Sequence, residues 1–217
     1  MKRGFTLIEM LVVIGIIAVL IAASIGSYSG VMHLAEKSRA EDLVHQVATA
    51  LTTMYQQNDG QWPVRMAMVG ETGGRLDDQV AYAFVSGNTK YLTLDHSGGK
   101  LIGYDRFGVL DPWGVAILKR KGRSATLKDV ASNTSDHMLW FAVDTDGNGI
   151  IEGALVGGQS VNVRATAIVW CAGRDGVISP YPYAGGGSDS KGANKGKSSG
   201  RSDDVYSWTV GQTKDVK

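Results

Sequence analysis

A short acidic segment in the second half of the chain carries side chains that are well suited to bind a metal ion. Asp144, Asp146 and Asn148 are spaced two residues apart. Oxygen ligands at this spacing can converge on one hard cation, and Ca²⁺ prefers carboxylate and amide oxygens. The backbone carbonyl of Ile150 and the carboxylate of Glu152 are further candidate ligands. The pattern therefore predicts a Ca²⁺ site in this segment.

The same segment also fits a turn that binds no metal. Its spacing resembles the first part of an EF-hand loop, but Leu155 occupies the twelfth position, where that loop has a bidentate acid. A run of Asp, Asn and Gly is also typical of a hairpin turn, which here would join residues 139–143 to residues 150–155. On the sequence alone, both interpretations stay open.

A single carboxylate, Glu9, stands near the start of a long apolar segment. Residues 10–23 are all apolar or Gly, and no Asp, Glu, Lys or Arg occurs between Glu9 and Glu36. About 20 residues of this kind suffice for a helix to cross a hydrocarbon layer of about 30 Å. The preceding Lys2 and Arg3 favour a cytoplasmic N-terminus. A carboxylate inside such a helix costs about 3 kcal/mol, so Glu9 is a candidate functional residue.

Two common kinds of segment share part of this pattern. A secretory signal peptide also has a basic start, and Ala22, Ala23 and Ser24 could imitate its cleavage site. Its apolar region, however, is usually about 7–15 residues long. A plain membrane anchor explains the apolar run but not Glu9. The combination therefore favours a third interpretation.

Residues 4–9, with the sequence GFTLIE, resemble the prepilin processing motif of type IV pilins and of type II secretion pseudopilins. The resemblance implies that a prepilin peptidase cleaves between Gly4 and Phe5 and that the new terminal Phe5 is N-methylated. It also implies that Glu9 docks subunits in a filament, where its carboxylate meets the charged amino terminus of a neighbouring copy. Two charges that are costly separately in lipid are paired in this way.

The Asp-Pro-Trp-Gly sequence at residues 111–114 is, taken by itself, typical of a tight turn with an aromatic plug. It is also similar to a turn of the major pseudopilins of type II secretion systems. That family usually continues with a small polar residue, Pro and an aromatic residue. Here the chain continues with Val115, Ala116 and Ile117, which departs from the family pattern.

Two further segments, at residues 171–176 and 202–208, are by themselves local turns. They are similar to a small-x-Gly-x-Asp-Gly segment and an Asp-Asp-aliphatic-x-Ser-Trp segment of the major pseudopilins. The resemblance implies that Asp175, Asp203 and Asp204 bind Ca²⁺ and hold the loop between the two segments. A cation would also relieve the mutual repulsion of three carboxylates.

Hydrophobic periodicity predicts one long helix from about residue 5 to residue 57. Its first half is apolar on all sides, and its second half has one apolar face and several charged ones. The residues that define the apolar face are Val31, Leu34, Val44, Val47, Leu51, Met54 and Tyr55. An Asn-Asp-Gly sequence at residues 58–60 and a Trp-Pro pair at residues 62–63 end the helix.

After Pro63 the pattern changes to short segments separated by turns. It predicts a short helix at residues 76–85, and it predicts strands at residues 91–94, 115–119, 137–143 and 166–170. The expected class is α+β, with the long helix packed on a small antiparallel sheet, as in type IV pilins.

Three parts of the chain are expected. Residues 1–4 are a leader, residues 5–28 a transmembrane and filament-core helix, and residues 29–217 a periplasmic globular domain. The globular domain includes the amphipathic half of the helix. It also includes a Gly/Ser/Lys-rich loop at residues 184–201, which is flexible by composition.

The composition argues against several classes of function. The formal net charge is +1, and the basic residues of the flexible loop, Lys191, Lys195, Lys197 and Arg201, have no aromatic residues among them, so no nucleic-acid partner is expected. Cys171, the single cysteine, is interpreted as a small buried hydrophobe. The four histidines form no shared motif, and no catalytic constellation is present. The chain is therefore not expected to be an enzyme.

The expected function is that of a pseudopilus subunit in type II protein secretion. Its partners would be further copies of itself, other pseudopilins, prepilin peptidase and the inner-membrane secretion platform, and its cofactor Ca²⁺. It would span the inner membrane once and later join a periplasmic pseudopilus. Two alternatives stay open: a subunit of an extracellular type IV pilus, serving adhesion, motility or DNA uptake, and a membrane-anchored, calcium-dependent binding domain.

Overall fold

The computed structural model describes residues 6–85, 96–97, 100–101, 104–105, 107–132, 135–178, 204–208 and 213–214. The chain divides into two compact units, Met1–Ser38 and Arg39–Lys217. The helices are α1 (Leu7–Gln57), α2 (Val64–Val69), α3 (Asp78–Val85), α4 (Pro112–Lys121) and α5 (Leu127–Val130), and a 3₁₀ turn spans Gly122–Ser124. The strands are β1 (Gly74–Arg75), β2 (His96–Ser97), β3 (Lys100–Leu101), β4 (Tyr104–Asp105), β5 (Gly108–Val109), β6 (Trp140–Val143), β7 (Ile151–Val156), β8 (Gln159–Val163), β9 (Ala167–Cys171), β10 (Val205–Tyr206) and β11 (Thr213–Lys214).

The first unit consists of the beginning of α1. Every described side chain from Thr6 to Ala22 is exposed, including large apolar ones such as Leu7, Val19 and Leu20. Within the part of the chain that the structure describes, no helix is both long enough and apolar enough to cross a membrane. The predicted long helix is confirmed, because α1 continues without a break through 51 residues to Gln57.

The second unit is organised around a four-stranded sheet in the order β1-β6-β9-β10, with all neighbours antiparallel. The end of α1 packs on one face of this sheet. The contacts come from residues three or four apart on the helix and from alternate residues on the strands. The buried helix residues are Ala40, Val44, Val47, Ala50, Leu51 and Met54, and the strand residues include Phe141, Val143, Val169 and Cys171. This packing confirms the predicted α+β class and the predicted helix-on-sheet architecture.

The opposite face of the sheet is also covered. The side chains that alternate with the first set, Ala142, Ile168 and Trp170, pack with residues of a three-stranded sheet in the order β11-β8-β7. Strand β9 is therefore buried along its whole length. A strand covered on both faces reads as a continuous apolar run, and the sequence AIVWC has this character.

The segment that follows Asp111 is a helix, so the predicted tight turn at residues 111–114 and the predicted strand at residues 115–119 are both wrong. Asp111 is the N-cap of α4, and its Oδ1 accepts a hydrogen bond from the backbone N–H of Gly114 at 2.6 Å. Pro112 occupies the first helical position, where its missing N–H has no cost. The capping signal outweighs the β propensity of Val115 and Ile117.

The other predicted elements shift or change partners. The short helix α3 begins at Asp78 rather than residue 76, because Asp77 Oδ1 accepts hydrogen bonds from the backbone N–H groups of Gln79 and Val80. Strand β6 covers the end of the predicted strand 137–143, and β9 is displaced by one residue from the predicted strand 166–170. The strand predicted at residues 91–94 lies outside the described residues.

The predicted hairpin across the acidic segment is also wrong. Strand β6 pairs with β9, and β7 pairs with β8, so residues 144–150 connect two different sheets. The backbone N–H of Asp144 donates to the carbonyl of Thr166 at 2.9 Å, which holds the start of this loop beside β9. The loop therefore crosses from one sheet to the other, and this hydrogen bond fixes its first residue.

A buried acid–base pair joins the start of α4 to the segment before β6. His137 Nδ1 lies 3.1 Å from Asp111 Oδ2, and both side chains are almost completely inaccessible. Burial raises the pKa of the Asp111 carboxyl. Burial alone would lower the pKa of His137. The hydrogen bond to Asp111 and the charge of that residue outweigh burial, and the charges of Asp136 and Asp175 act in the same direction. The pKa of His137 is therefore raised above its ordinary value of 6.5. The folded protein therefore holds these protons more tightly than the unfolded chain does.

This pair predicts that stability falls as the pH rises. The contribution of His137 is fully present below pH 6.5 and is lost as the pH rises through the higher pKa of the folded state. The free energy of unfolding should therefore fall above pH 6.5, by at most about 1.4 kcal/mol per pH unit for one proton. Denaturant melts of the full chain at several pH values measure this slope. His137→Gln should flatten it, whereas His45→Gln, at an exposed position on α1, should not.

Candidate functional site

The helix start around Glu9 is held by a reciprocal set of hydrogen bonds. Glu9 Oε2 accepts from the backbone N–H and from the hydroxyl of Thr6, each at 2.8 Å. Thr6 Oγ1 in turn accepts from the backbone N–H of Glu9 at 3.4 Å. This is a capping box, which satisfies backbone donors that a helix start otherwise leaves open. Gly4 and Phe5, the predicted processing residues, lie outside the described residues.

Thr6 is a contributor that the sequence interpretation did not single out. The signal was present, because Thr-x-x-Glu before an apolar run is the sequence pattern of a capping box. The carboxylate of Glu9 is thereby fixed at the beginning of α1, in the part of the helix, residues 6–22, whose side chains are all exposed. A charged group of another molecule could therefore reach this carboxylate only near the start of α1.

The acidic loop, residues 144–152, is built on the buried carboxylate of Asp144. Its Oδ1 accepts from the backbone N–H of Gly147 at 2.8 Å, and its Oδ2 from that of Gly149 at 2.7 Å. Both glycines have positive φ, of 75° and 79°, a conformation that side chains with a Cβ rarely adopt. The indole N–H of Trp62 donates to the Asp144 carbonyl at 2.6 Å. The loop is therefore anchored both internally and to the segment that follows α1.

Two more side chains of the predicted set make local turns. Asp146 Oδ1 accepts from the backbone N–H of Asn148 at 3.0 Å, and Asn148 Oδ1 accepts from that of Ile150 at 2.6 Å. The Asn148 amide also donates to Asp146 Oδ2 at 2.8 Å. Asn148 thus supports the conformation of the loop.

Glu71 completes the acidic group, and the sequence interpretation missed it. It lies 73 residues before Asp144, in the turn after α2, and the backbone N–H of Val143 donates to the neighbouring Gly70 carbonyl at 3.2 Å. Glu71 Oε1 accepts from the hydroxyl of Thr145 at 3.0 Å, and its Oε2 accepts from the backbone N–H of Glu152 at 2.8 Å. No local pattern could indicate a residue that tertiary structure alone brings to the loop.

Three carboxylates converge here. Oxygens of Glu71, Asp144 and Asp146 lie within 4.8 Å of one another. Of the predicted carboxylates, the structure therefore brings Asp144 and Asp146 together and adds Glu71, whereas Glu152 is not in this group. Burial is the main cause that raises the pKa of Asp144, and the neighbouring Asp146 raises it further. Protonation or a bound cation would relieve that repulsion, and hard oxygen ligands suit Ca²⁺.

The second predicted set is only partly described. Asp175 is exposed and its Oδ1 accepts from the backbone N–H of Val177 at 2.9 Å. Asp204 is buried beside β10, and its Oδ2 accepts from the hydroxyl of Tyr206 at 3.0 Å. Asp203 lies outside the described residues. Ca²⁺ binding by this set stays a prediction.

Comparison with known proteins gives one match. Residues 1–25 match the family described as the prokaryotic N-terminal methylation motif. No curated protein and no solved structure matches the chain. The motif indicates a type IV pilin-like protein that is processed as a prepilin, and this bears out the coarser part of the resemblance. It does not distinguish a pseudopilus from a pilus.

Proposed function

We propose that this chain is a structural subunit of a type II secretion pseudopilus, cleaved between Gly4 and Phe5 and polymerised through α1. The observation that carries the proposal is the methylation motif at residues 1–25. Glu9 in the first turn of α1, followed by exposed apolar side chains, supports it. Such a surface is stable only in an apolar environment, which lipid supplies first and neighbouring helices supply in the filament.

The proposed location follows from the same segment. Residues 5–28 would span the inner membrane once, with Lys2 and Arg3 on the cytoplasmic side and the second unit in the periplasm. The partners would be further copies, other pseudopilins, prepilin peptidase and the secretion platform. A subunit of this kind would have a structural role, and the energy for secretion would come from another protein.

The choice of a pseudopilus over a pilus rests on sequence resemblance. Residues 111–114, 171–176 and 202–208 are similar to segments of major pseudopilins, and a single cysteine leaves no pair to close a disulfide-bonded loop. Deletion of the gene should therefore abolish secretion of folded proteins. Loss of surface pili with secretion intact would overturn this choice and would favour the pilus alternative.

We also propose that Ca²⁺ is a cofactor of the second unit. An ion that binds only the folded state stabilises it by about 2.7 kcal/mol at 100 times its Kd. In a chain of this size that corresponds to a rise in Tm of about 5–10 °C. Thermal melts of the full chain in detergent, with Ca²⁺ or with a chelator, should show this shift.

Two matched variants assign the shift to a site. Glu71→Gln removes one charge from the acidic loop, and Asp175→Asn removes one from the C-terminal set. We expect the calcium-dependent shift to be reduced by Glu71→Gln, because Glu71 lies within a group of three convergent carboxylates. A shift that is lost only in Asp175→Asn would place the ion at the C-terminal set. Identical melts with and without Ca²⁺ would contradict both sites.

A further inference from the structure

A dense group of positive charges lies on the outside of the second unit. It consists of five basic side chains within ten residues, all exposed: Lys119, Arg120, Lys121, Arg123 and Lys128. They extend from the last turn of α4 through the 3₁₀ turn to α5. We call this group the basic surface.

Within the part of the chain that the structure describes, little compensates these charges. Lys121 Nζ lies 3.4 Å from Asp129 Oδ1, and that carboxylate also accepts from the backbone N–H and hydroxyl of Thr126. Among the described residues, none of the other four basic side chains has an ion pair. The dipole of α4 favours cations in its last turn, which accounts for Lys119, Arg120 and Lys121. It does not account for Arg123 and Lys128, which come after the helix.

A surface of opposite charge lies in the same unit. The carboxylates of Glu71, Asp146 and Glu152 are exposed or half-buried at the acidic loop, with Asp144 beneath them. We call this group the acidic surface. Among the described residues no ion pair joins it to the basic surface of the same copy. One bound divalent cation would leave it with a net negative charge, since it carries four carboxylates. The two surfaces are thus opposite in sign with or without such a cation.

We propose that the basic surface of one copy docks on the acidic surface of a neighbouring copy, an inference that rests on the filament proposed above. Two different surfaces of the same chain then meet, so each contact leaves one of each free for the next copy. A contact of this kind does not close a dimer, and it is compatible with the helical polymer of the proposed filament. The attraction between opposite charges also favours this relative orientation of two copies. It disfavours the reversed orientation, in which like charges meet.

The contact has a characteristic response to salt. Exposed pairs are weak individually and are screened by salt, so the docking needs α1 to hold the copies together. Its role is to select the register of neighbouring subunits. High ionic strength should therefore loosen the contact between second units before it dissolves the filament.

Disulfide trapping between full-length chains tests the proposal. Cells express two variants together, Arg123→Cys and Glu152→Cys, and assembled material is oxidised and separated on denaturing gels. We expect a cross-linked dimer of one Arg123→Cys chain and one Glu152→Cys chain. A different tag on each variant identifies the two chains in the dimer. The native Cys171 is buried, and burial raises the pKa of its thiol, so it does not compete. Arg123→Cys with Asp78→Cys, at an exposed acid on α3, is the matched control and should give no dimer.

A cysteine at another position distinguishes failure of the docking contact from failure of filament assembly. Ile16→Cys, at an exposed position on α1, reports contact between helices. Cross-linking through Ile16→Cys without any through the Arg123 and Glu152 pair would overturn the docking contact and leave the filament standing. No cross-link through Ile16→Cys would overturn the filament, and with it the docking contact.

Charge reversal gives an independent readout. Arg120→Glu with Arg123→Glu should reduce trapping of a Lys128→Cys and Glu152→Cys pair about tenfold, as expected for the loss of a few exposed ion pairs. Asp146→Lys in the partner copy should restore part of it. Anionic lipid headgroups could also attract the basic surface. In that case the reversal would remove a salt-sensitive association with anionic vesicles, the partner's Asp146→Lys would restore nothing, and the proposal would fall.

Discussion

A chain with Glu9→Ala should enter the membrane normally and fail to assemble into filaments. In the proposed filament, the Glu9 carboxylate neutralises the amino terminus of a neighbouring copy in an apolar environment. Removal of one partner of such a buried pair costs about 3–5 kcal/mol. That corresponds to a loss of about two to four orders of magnitude in the association constant at each contact. Electron microscopy of sheared fractions and cross-linking through Ile16→Cys measure the loss.

Glu9→Gln separates the charge from the capping role of this residue. Glutamine keeps an oxygen that accepts from Thr6, so the capping box survives, but it carries no charge. We expect Glu9→Gln to fail in assembly as completely as Glu9→Ala. Filaments of normal length and number from Glu9→Gln would show that the carboxylate serves the helix start rather than subunit docking.

Asp111→Ala should be strongly destabilising. The carboxylate caps α4 through Gly114 and pairs with buried His137, so its removal leaves an open helix start and a buried imidazole without its partner. Loss of a cap costs about 1 kcal/mol, and loss of one partner of a buried pair costs about 3–5 kcal/mol. Thermal melts should show Tm lower by about 10 °C or more.

Asp129→Ala is the matched control, because Asp129 also accepts hydrogen bonds at a helix start, but at an exposed site on α5. It should cost about 1 kcal/mol or less. The double variant Asp111→Ala with His137→Ala should be less unstable than the sum of its single changes, since the pair is then removed as a unit. Equal melting of Asp111→Ala and Asp129→Ala would contradict the role given to the buried pair.

The parts of the fold that were predictable are those with a strong local period. The apolar positions of α1 recur at helical spacing over many turns, and those from Val44 to Met54 are buried against the sheet, whereas the predicted Val31 and Leu34 are exposed. The run at residues 166–170 likewise predicted a strand, and β9 lies there, displaced by one residue. In both cases, the spacing of apolar residues along the chain predicts the type of element.

Elsewhere the deciding interactions lie outside the local pattern. Residues 115–119 have the composition of a strand, but the cap at Asp111 and Pro112 starts a helix first. The pairing of β6 with β9 rather than β7 depends on which apolar faces meet, which a run of Asp and Gly between two strands does not encode. Glu71 joins the acidic loop across 73 positions of chain for the same reason.

The continuity of α1 has a mechanical consequence. The helix that begins in the first unit ends in the core of the second, where six buried side chains over four turns lie against the sheet. Tension applied along this helix would load all of these contacts at once, in shear, rather than open them one after another. The Trp62 hydrogen bond to Asp144 lies just beyond the helix end and adds a contact between this region and the acidic loop. The contacts between the end of α1 and the sheet should therefore resist a pull along the helix axis better than a pull across it.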